Sequence, residues 1–305
     1  MKLEDRSPAE ALKLISIAPG TTTHTGAIHM SGTARRHWYR SAPAGRRPSH
    51  WWYWGRAVYV SRRDYRKIFL AFLAVGVPLG AAGVLLGITV LLNAALVIAG
   101  IGLILFLYSL FGLYRMYGHP SMRYYRRLLE QGNVPDRAIV ADLHIGTYRT
   151  AFALADLLPH ATIHSVDCWD IEGPPAEEAV ADVRDLEPAP TANPRIRPAK
   201  ATKFSIPLPD ATCDVVVFGF GTHEIPRGGP REKLFREAQR ILKPGGTALL
   251  FEHGYDLHNF VIFGPVIDHV TRRQEWLKTM AEYFSDVAYA RSSAAVDLIV
   301  GQRRA

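Results

Sequence analysis

AIVADLHIGTYRTAFALADLLPHATIHSVDCWD, residues 138–170, decides how this chain is read. Its start, Ala138 to Leu143, has the apolar run of a strand buried on both faces. A turn containing Gly146 follows, then an amphipathic helix over about Thr147 to Leu158, then a second strand closed by Asp167. A strand that ends in an acid, turns on glycine and opens a helix aims backbone N–H groups and a positive helix end at one point. That arrangement suits a nucleotide-like ligand. Asp167, at the end of the next strand, is placed to bind ribose hydroxyls.

The residues of this stretch resemble those of the class I S-adenosylmethionine-dependent methyltransferases of the type 11 kind. Their first motif, commonly D-L-G-C-G-T-G, stands here as Asp142-Leu143-His144-Ile145-Gly146-Thr147-Tyr148, with His144 and Tyr148 in place of two glycines. Asp214-Val215-Val216-Val217-Phe218-Gly219 is similar to that fold's fourth strand, and LFREAQRILKPGG (residues 234–246) to the helix and turn before its fifth. The resemblance covers about residues 121–305. It implies a doubly wound, seven-stranded Rossmann-like α/β sheet and S-adenosylmethionine as cofactor. The residues it assigns to the cofactor are Asp142, His144, Gly146, Thr147, Tyr148, Asp167, Cys168, Ala201, Thr202, Gly219 and Phe220. Where the family commonly has an acid near the adenine, this chain has Lys200-Ala201-Thr202, so an adenine contact would come from backbone or the Thr202 hydroxyl.

Charge distribution adds a membrane. The formal net charge is +8, which by itself would suit nucleic acid. Residues 35–127, however, hold 14 Lys and Arg against the single acid Asp64, while residues 128–305 hold 19 against 24 acids. Basic charge thus brackets an apolar block, and no nucleic-acid partner is expected. Residues 68–114 contain no charged side chain. As one helix, at about 1.5 Å per residue, they would be roughly 70 Å long, about twice the hydrocarbon core. Two passes fit: helices over about Ile68 to Ile88 and Ala94 to Tyr114, with a turn near Thr89 to Asn93. Pro78 kinks the first rather than ending it. Gly76 and Gly80, and Gly83 and Gly87, have the spacing that lets transmembrane helices approach, within the hairpin or between copies of the chain.

Four regions follow: a polar segment 1–49 with one short helical candidate at Pro8 to Ile17 and no signal-peptide pattern; an aromatic and basic interfacial segment 50–67; a transmembrane hairpin 68–115; and a cytoplasmic domain 116–305. In the interfacial segment Trp51, Trp52, Tyr53, Trp54, Tyr59 and Tyr65 alternate with Arg and Lys, a mixture that favours the headgroup layer over base stacking once the hairpin is considered. Basic residues flank both ends of the hairpin, which places both termini on the cytoplasmic side. Ser121 to Gln131 reads as an amphipathic helix, with Tyr117, Tyr124 and Tyr125 holding it near the lipid. A short helix is expected at Ala176 to Leu186, and strands at Arg195 to Thr202, Thr212 to Gly219 and Thr247 to His253. A helix at Glu275 to Phe284 and a hairpin of Asp286 to Arg291 with Ala295 to Gln302 close the domain.

The catalytic candidates come from strand ends. Phe220-Gly221-Thr222-His223-Glu224-Ile225 follows the fourth strand, and Glu252-His253 ends the fifth. Carboxyl ends of strands face the ligand crevice in such sheets, so His223, Glu224 and His253 are expected near the transferred methyl group. A histidine titrates in the range a general base needs, with Glu224 or Glu252 to orient it. Tyr148 and Trp169 offer aromatic faces to a sulfonium. No histidine pair stands at i, i+4 within an expected helix and there is no CxxC, so no metal is expected. The two cysteines give no disulfide framework. No P-loop, G-x-S-x-G or complete G-x-G-x-x-G occurs, which disfavours kinases, hydrolases of that class and ordinary nicotinamide enzymes. The resulting expectation is a membrane-anchored methyltransferase acting on a lipophilic small-molecule or lipid acceptor. The competing expectation is a non-catalytic methyltransferase fold serving as a tethered binding or scaffold module.

Overall fold

A computed structural model describes residues 42, 46–169, 184, 186–187, 189–202 and 205–304. The helices expected at Pro8 to Ile17 and Ala176 to Leu186, and most of the segment 1–49, fall wholly or largely outside them.

Seven strands form one sheet: β1 (Ile139–His144), β2 (Thr162–Asp167), β3 (Ile196–Lys200), β4 (Cys213–Phe218), β5 (Leu242–His253), β6 (Ser285–Arg291) and β7 (Val296–Gln302). Their order is β3-β2-β1-β4-β5-β7-β6. The first five are parallel, and β7 joins β5 antiparallel and pairs with β6. The order reverses between β1 and β4, which opens a crevice at their carboxyl ends. Side chains alternate across the sheet. Val140, Phe152, Phe251 and Leu298 build one buried layer, while Ala141, Leu143, Phe218, Phe235 and Trp276 build the other. The doubly wound reading of the sequence is therefore the fold of the chain.

Around the sheet lie α4 (Met122–Gln131), α5 (Arg149–Leu157), α6 (Gly229–Ile241), α7 (Leu257–Phe263) and α8 (Arg273–Tyr283). Strand β5 starts five residues before the expected Thr247, because Leu242 already pairs with Cys213 ahead of an irregularity in the ladder. Tyr124 and Tyr125 do not face lipid. They are 2% and 1% exposed and pack on Phe251, since α4 turns its aromatic face to the sheet.

Ahead of the domain are α1 (His50–Val60), α2 (Arg62–Leu85) and α3 (Thr89–Tyr117). The turn between α2 and α3 falls at 86–88, just before the expected Thr89, because Gly87 takes φ +68° there. Helices α2 and α3 are long and apolar enough to cross a membrane, with mean hydropathy 2.3 and 2.7. Leu85, Val90 and Leu96 are exposed, and in the most apolar stretch of each helix few or no residues are buried by protein among the described residues. The glycine stripe is used inside this pair. A Cβ at Gly83 would lie 2.6 Å from the Leu92 backbone nitrogen, and one at Gly80 3.5 Å from the Ala95 side chain.

The last turns of α3 differ, with Ser109, Gly112, Leu113 and Met116 buried. Ser109 donates to the Ile262 carbonyl of α7, and Trp54 of α1 donates to the Leu110 carbonyl at 3.1 Å. Arg149, at the start of α5, donates to the Met116 carbonyl and the Tyr124 hydroxyl, both at 2.8 Å. The apolar pair is thereby bolted to the sheet domain at the end nearest the crevice.

Candidate active site

The turn after β1 is built by its own side chains. Gly146 has φ +108°, a conformation L side chains rarely adopt. The Gly146 N–H donates to His144 Nδ1 at 3.0 Å, so the imidazole that replaces a motif glycine takes up one of the turn's backbone donors. Burial lowers the His144 pKa to about 4, which keeps Nδ1 an acceptor. Tyr148 packs edge-on against that ring at 4.8 Å. Asp142 is fully buried within β1, where its carboxylate accepts from Ser165 at 3.1 Å. Burial raises its pKa to about 8.

Asp167 is held by this chain's own Arg184. The guanidinium donates to both carboxylate oxygens, at 3.0 and 2.6 Å, and to the Ile145 carbonyl at 2.8 Å. It lies 4.1 Å over the Trp169 ring. Burial opposes ionisation of Asp167, yet hydrogen bonds from Arg184, and the electrostatic effect of the nearby His144, still lower its pKa. A Cβ at Gly146 would stand 2.6 Å from Arg184 Nη1, so this side chain fills the hollow the glycine leaves. Beside it, Glu187 accepts from Tyr53 at 2.7 Å, Arg56 at 2.6 Å and Thr147 at 2.9 Å, tying α1 to the turn.

The strand ends supply the opposite wall. His223 follows Gly221 (φ +106°) on a short 3-10 turn, Thr222–Glu224. Its N–H and Nδ1 meet the two Glu252 oxygens at 3.0 and 2.8 Å. Its Nε2 stands 3.1 Å from Glu224 Oε1, and His269 Nε2 stands 3.2 Å from the same oxygen. Burial would lower the His223 pKa, but Glu252 and Glu224 outweigh it and raise it to about 10. Glu224 is held at about 2: burial pushes it up, and hydrogen bonds from His223 and His269 push it further down. Arg231 fixes the backbone of this turn by donating to the His223 and Ile225 carbonyls at 2.9 and 2.8 Å.

His253 stacks on Phe220 at 4.1 Å and meets the Tyr117 hydroxyl of α3 through Nε2 at 3.1 Å. Burial, then the charges of His223 and Arg149, lower its pKa well below the usual imidazole value. Its Nδ1 is buried without a hydrogen-bond partner among the described residues.

These walls enclose a cavity of about 190 Å³, below the roughly 300 Å³ at which ligand pockets usually begin. Of the residues singled out in the sequence, Gly146, Thr147, Phe220, His223, Glu224 and His253 line it. Asp142, His144, Tyr148, Asp167, Cys168, Ala201, Thr202 and Gly219 are not among its lining residues. Ala201 N–H is taken by the Asp167 carbonyl at 2.9 Å, and the Thr202 hydroxyl oxygen accepts from the Ser205 N–H at 3.2 Å. Arg56, Tyr117, Arg184 and His269 also line the cavity, and none stands in a local pattern that marks it in the sequence.

Residues 142–250 match the family model for the methyltransferase domain. No curated protein matches the sequence. The solved structures it is similar to include a SAM-dependent methyltransferase from Aquifex aeolicus, with 16% identity, 58% of this chain and 88% of that chain covered, and a TM-score of 0.45. A possible exported protein from Bordetella parapertussis has 15% identity, 61% and 68% coverage, and a TM-score of 0.43. The S-adenosylmethionine-dependent methyltransferase SibL has 22% identity, 63% and 58% coverage, and a TM-score of 0.41. The match to the methyltransferase-domain model thus falls on residues 142–250, which carry the end of β1, the parallel strands β2, β3 and β4 and the glycine turn at the switch point, with two long apolar helices ahead of them.

Proposed function

We propose that the chain is a membrane-anchored methyltransferase that moves a methyl group from S-adenosylmethionine to a lipophilic small-molecule or lipid acceptor, with its domain and both termini on the cytoplasmic face. One observation carries the reading. The cavity is walled on one side by the glycine turn and strand ends, and on the other by α1 together with Leu113 and Tyr117 from the last turns of an apolar helix. An acceptor partitioned into a bilayer around α2 and α3 would meet the cavity at the helix ends, without crossing water.

The cradle fits the cofactor on one condition. The reading gives ribose hydroxyls to Asp167 and close approach of the nucleoside to the positive-φ Gly146, and Arg184 occupies both. What fills the hollow is the Arg184 side chain from Cγ to guanidinium rather than backbone, so a nucleoside enters when that side chain swings aside. When bound, S-adenosylmethionine supplies a methyl group reactive toward a lone pair, and alignment accounts for much of the rate. Phe220 and Tyr117 hold the apolar wall. His253, kept neutral by burial and with Nδ1 unpartnered among the described residues, is the side chain set to take a proton from an acceptor hydroxyl or carbon acid.

The experiment is transfer of labelled methyl from S-adenosylmethionine to membrane lipid extract by the detergent-solubilised chain. The reading expects label in the organic phase, reduced about 100-fold or more in His253→Ala. Absence of transfer to any lipophilic fraction contradicts it. The second reading, a tethered binding module, is favoured by the Arg184–Asp167 ion pair and by His144 and Tyr148 in the glycine motif. It predicts lipid binding without turnover.

A further inference from the structure

We propose that His223, His269 and Glu224 form a binding site for a divalent transition-metal ion of the zinc class, open toward the cavity. The inference goes beyond the methyl-transfer reading and does not depend on it.

The geometry is that of a ligand set. One ligand atom from each of the three residues falls within 4.8 Å of the others. Both imidazoles present Nε2 to a single carboxylate oxygen, at 3.1 and 3.2 Å. Zinc–nitrogen and zinc–oxygen bonds are about 2.0–2.2 Å, so ligands at tetrahedral positions stand roughly 3.3 Å apart. The two nitrogen–oxygen separations are close to that spacing, and the third side of the set lies within 4.8 Å, so the side chains close around an ion by moving together.

Three further features point to a ligand rather than to a closed hydrogen-bond cluster. Glu224 is 2% exposed, and its Oε2 is buried with no hydrogen-bond partner among the described residues, although it lines the cavity. A buried carboxylate oxygen with no donor is costly unless something else satisfies it. His223 carries the outer partner that metal-bound histidines characteristically have. Glu252 accepts at Nδ1 at 2.8 Å and so turns Nε2 inward. Finally, His223, Glu224 and His269 all line the cavity, which leaves the remaining coordination positions facing the space an acceptor would occupy.

Two imidazoles and one carboxylate select among metals. Magnesium and calcium prefer oxygen-only sets, whereas zinc and neighbouring first-row ions accept this mixture. Three protein ligands with an open position are the pattern of sites that bind an exchangeable oxygen ligand. Arg231 acts on the backbone around the ligands rather than on the ligand atoms. It donates to the His223 and Ile225 carbonyls and to the Thr271 hydroxyl, and so fixes the backbone that carries two of the ligands.

The test uses the full chain in detergent, stripped by chelator and titrated with Zn2+ against a competing chromophoric chelator, and separately with Co2+ followed by visible absorption. Neither titration contains the nucleoside, so a failure here is distinct from a failure of methyl transfer. The expected result is one zinc per chain and an intense cobalt spectrum of four- or five-coordinate nitrogen–oxygen ligation. Glu224→Gln and His269→Ala should each weaken zinc by about 100-fold or more, and Glu252→Gln by about 10- to 100-fold. A cobalt spectrum indistinguishable from the hexaaqua ion overturns the proposal on the unmodified chain alone. Zinc affinity unchanged in both Glu224→Gln and His269→Ala overturns it as well.

Discussion

Arg184 sets the state of the nucleotide cradle. It neutralises Asp167 and fills the space over Gly146, so a nucleoside must break an ion pair on entry. Arg184→Ala is therefore expected to tighten S-adenosylmethionine binding by about five- to tenfold, equivalent to about 1 kcal/mol, as read by calorimetry. Weakening by the same factor would mean that Arg184 holds the ligand instead of competing with it. Asp142 gives a second residue-scale test. Its folded pKa, raised by burial to about 8, lies above the unfolded value, so its contribution to stability is fully present below the unfolded pKa and is lost as pH rises through about 8. Asp142→Asn should consequently raise the thermal midpoint at about pH 9 relative to the unmodified chain, and do so less at about pH 6. A larger destabilisation at the higher pH would refute the assignment. The glycine motif is legible in Asp142, Gly146 and Thr147, whereas in the sequence His144 is only a replacement for a motif glycine. Only the fold reveals that its ring accepts from the Gly146 N–H. Arg184 and His269 were invisible for a related reason: each reaches the site from a separate segment, and no local spacing encodes such a meeting.

At the scale of elements, the helical pair depends on close backbone approach at Gly83. A side chain there meets the Leu92 backbone, which has nowhere to go without separating the helices. Gly83→Val should cost about 1–3 kcal/mol and lower the thermal midpoint in detergent. Gly100→Ala, where a Cβ finds open space, should be silent. Equal effects would show that α2 and α3 are not packed as described. Strands and helices were legible because hydrophobic period and turn residues agree along most of the domain. The misplaced ends have a common cause. Where Leu242 pairs ahead of a ladder irregularity, or Gly87 turns the hairpin early, tertiary pairing and one left-handed residue override the local pattern. The mixture of aromatic and basic residues in α4 suits a lipid surface, yet the sheet competes for the same rings and buries Tyr124 and Tyr125.

At the scale of the molecule, two apolar helices with exposed surfaces are joined to a mildly acidic domain through basic flanks. Water is a poor solvent for that surface, and a bilayer is a good one. The full chain is expected to stay with membranes through alkaline carbonate extraction, and a variant lacking residues 62–117 is not a fair comparison, because Met116 and Tyr117 belong to the domain's own packing. Release into the supernatant would remove the anchoring claim and leave the domain intact. The placement of the cavity between hairpin and sheet was legible only in outline, since the sequence orders the two parts without docking them. The central claim is that this cavity takes a methyl-donating nucleoside beside the hairpin. Titration calorimetry of the detergent-solubilised full chain with S-adenosylmethionine and its demethylated product tests it most directly: micromolar binding of both is predicted, and absence of binding at millimolar ligand, in the unmodified chain and in Arg184→Ala alike, would contradict it.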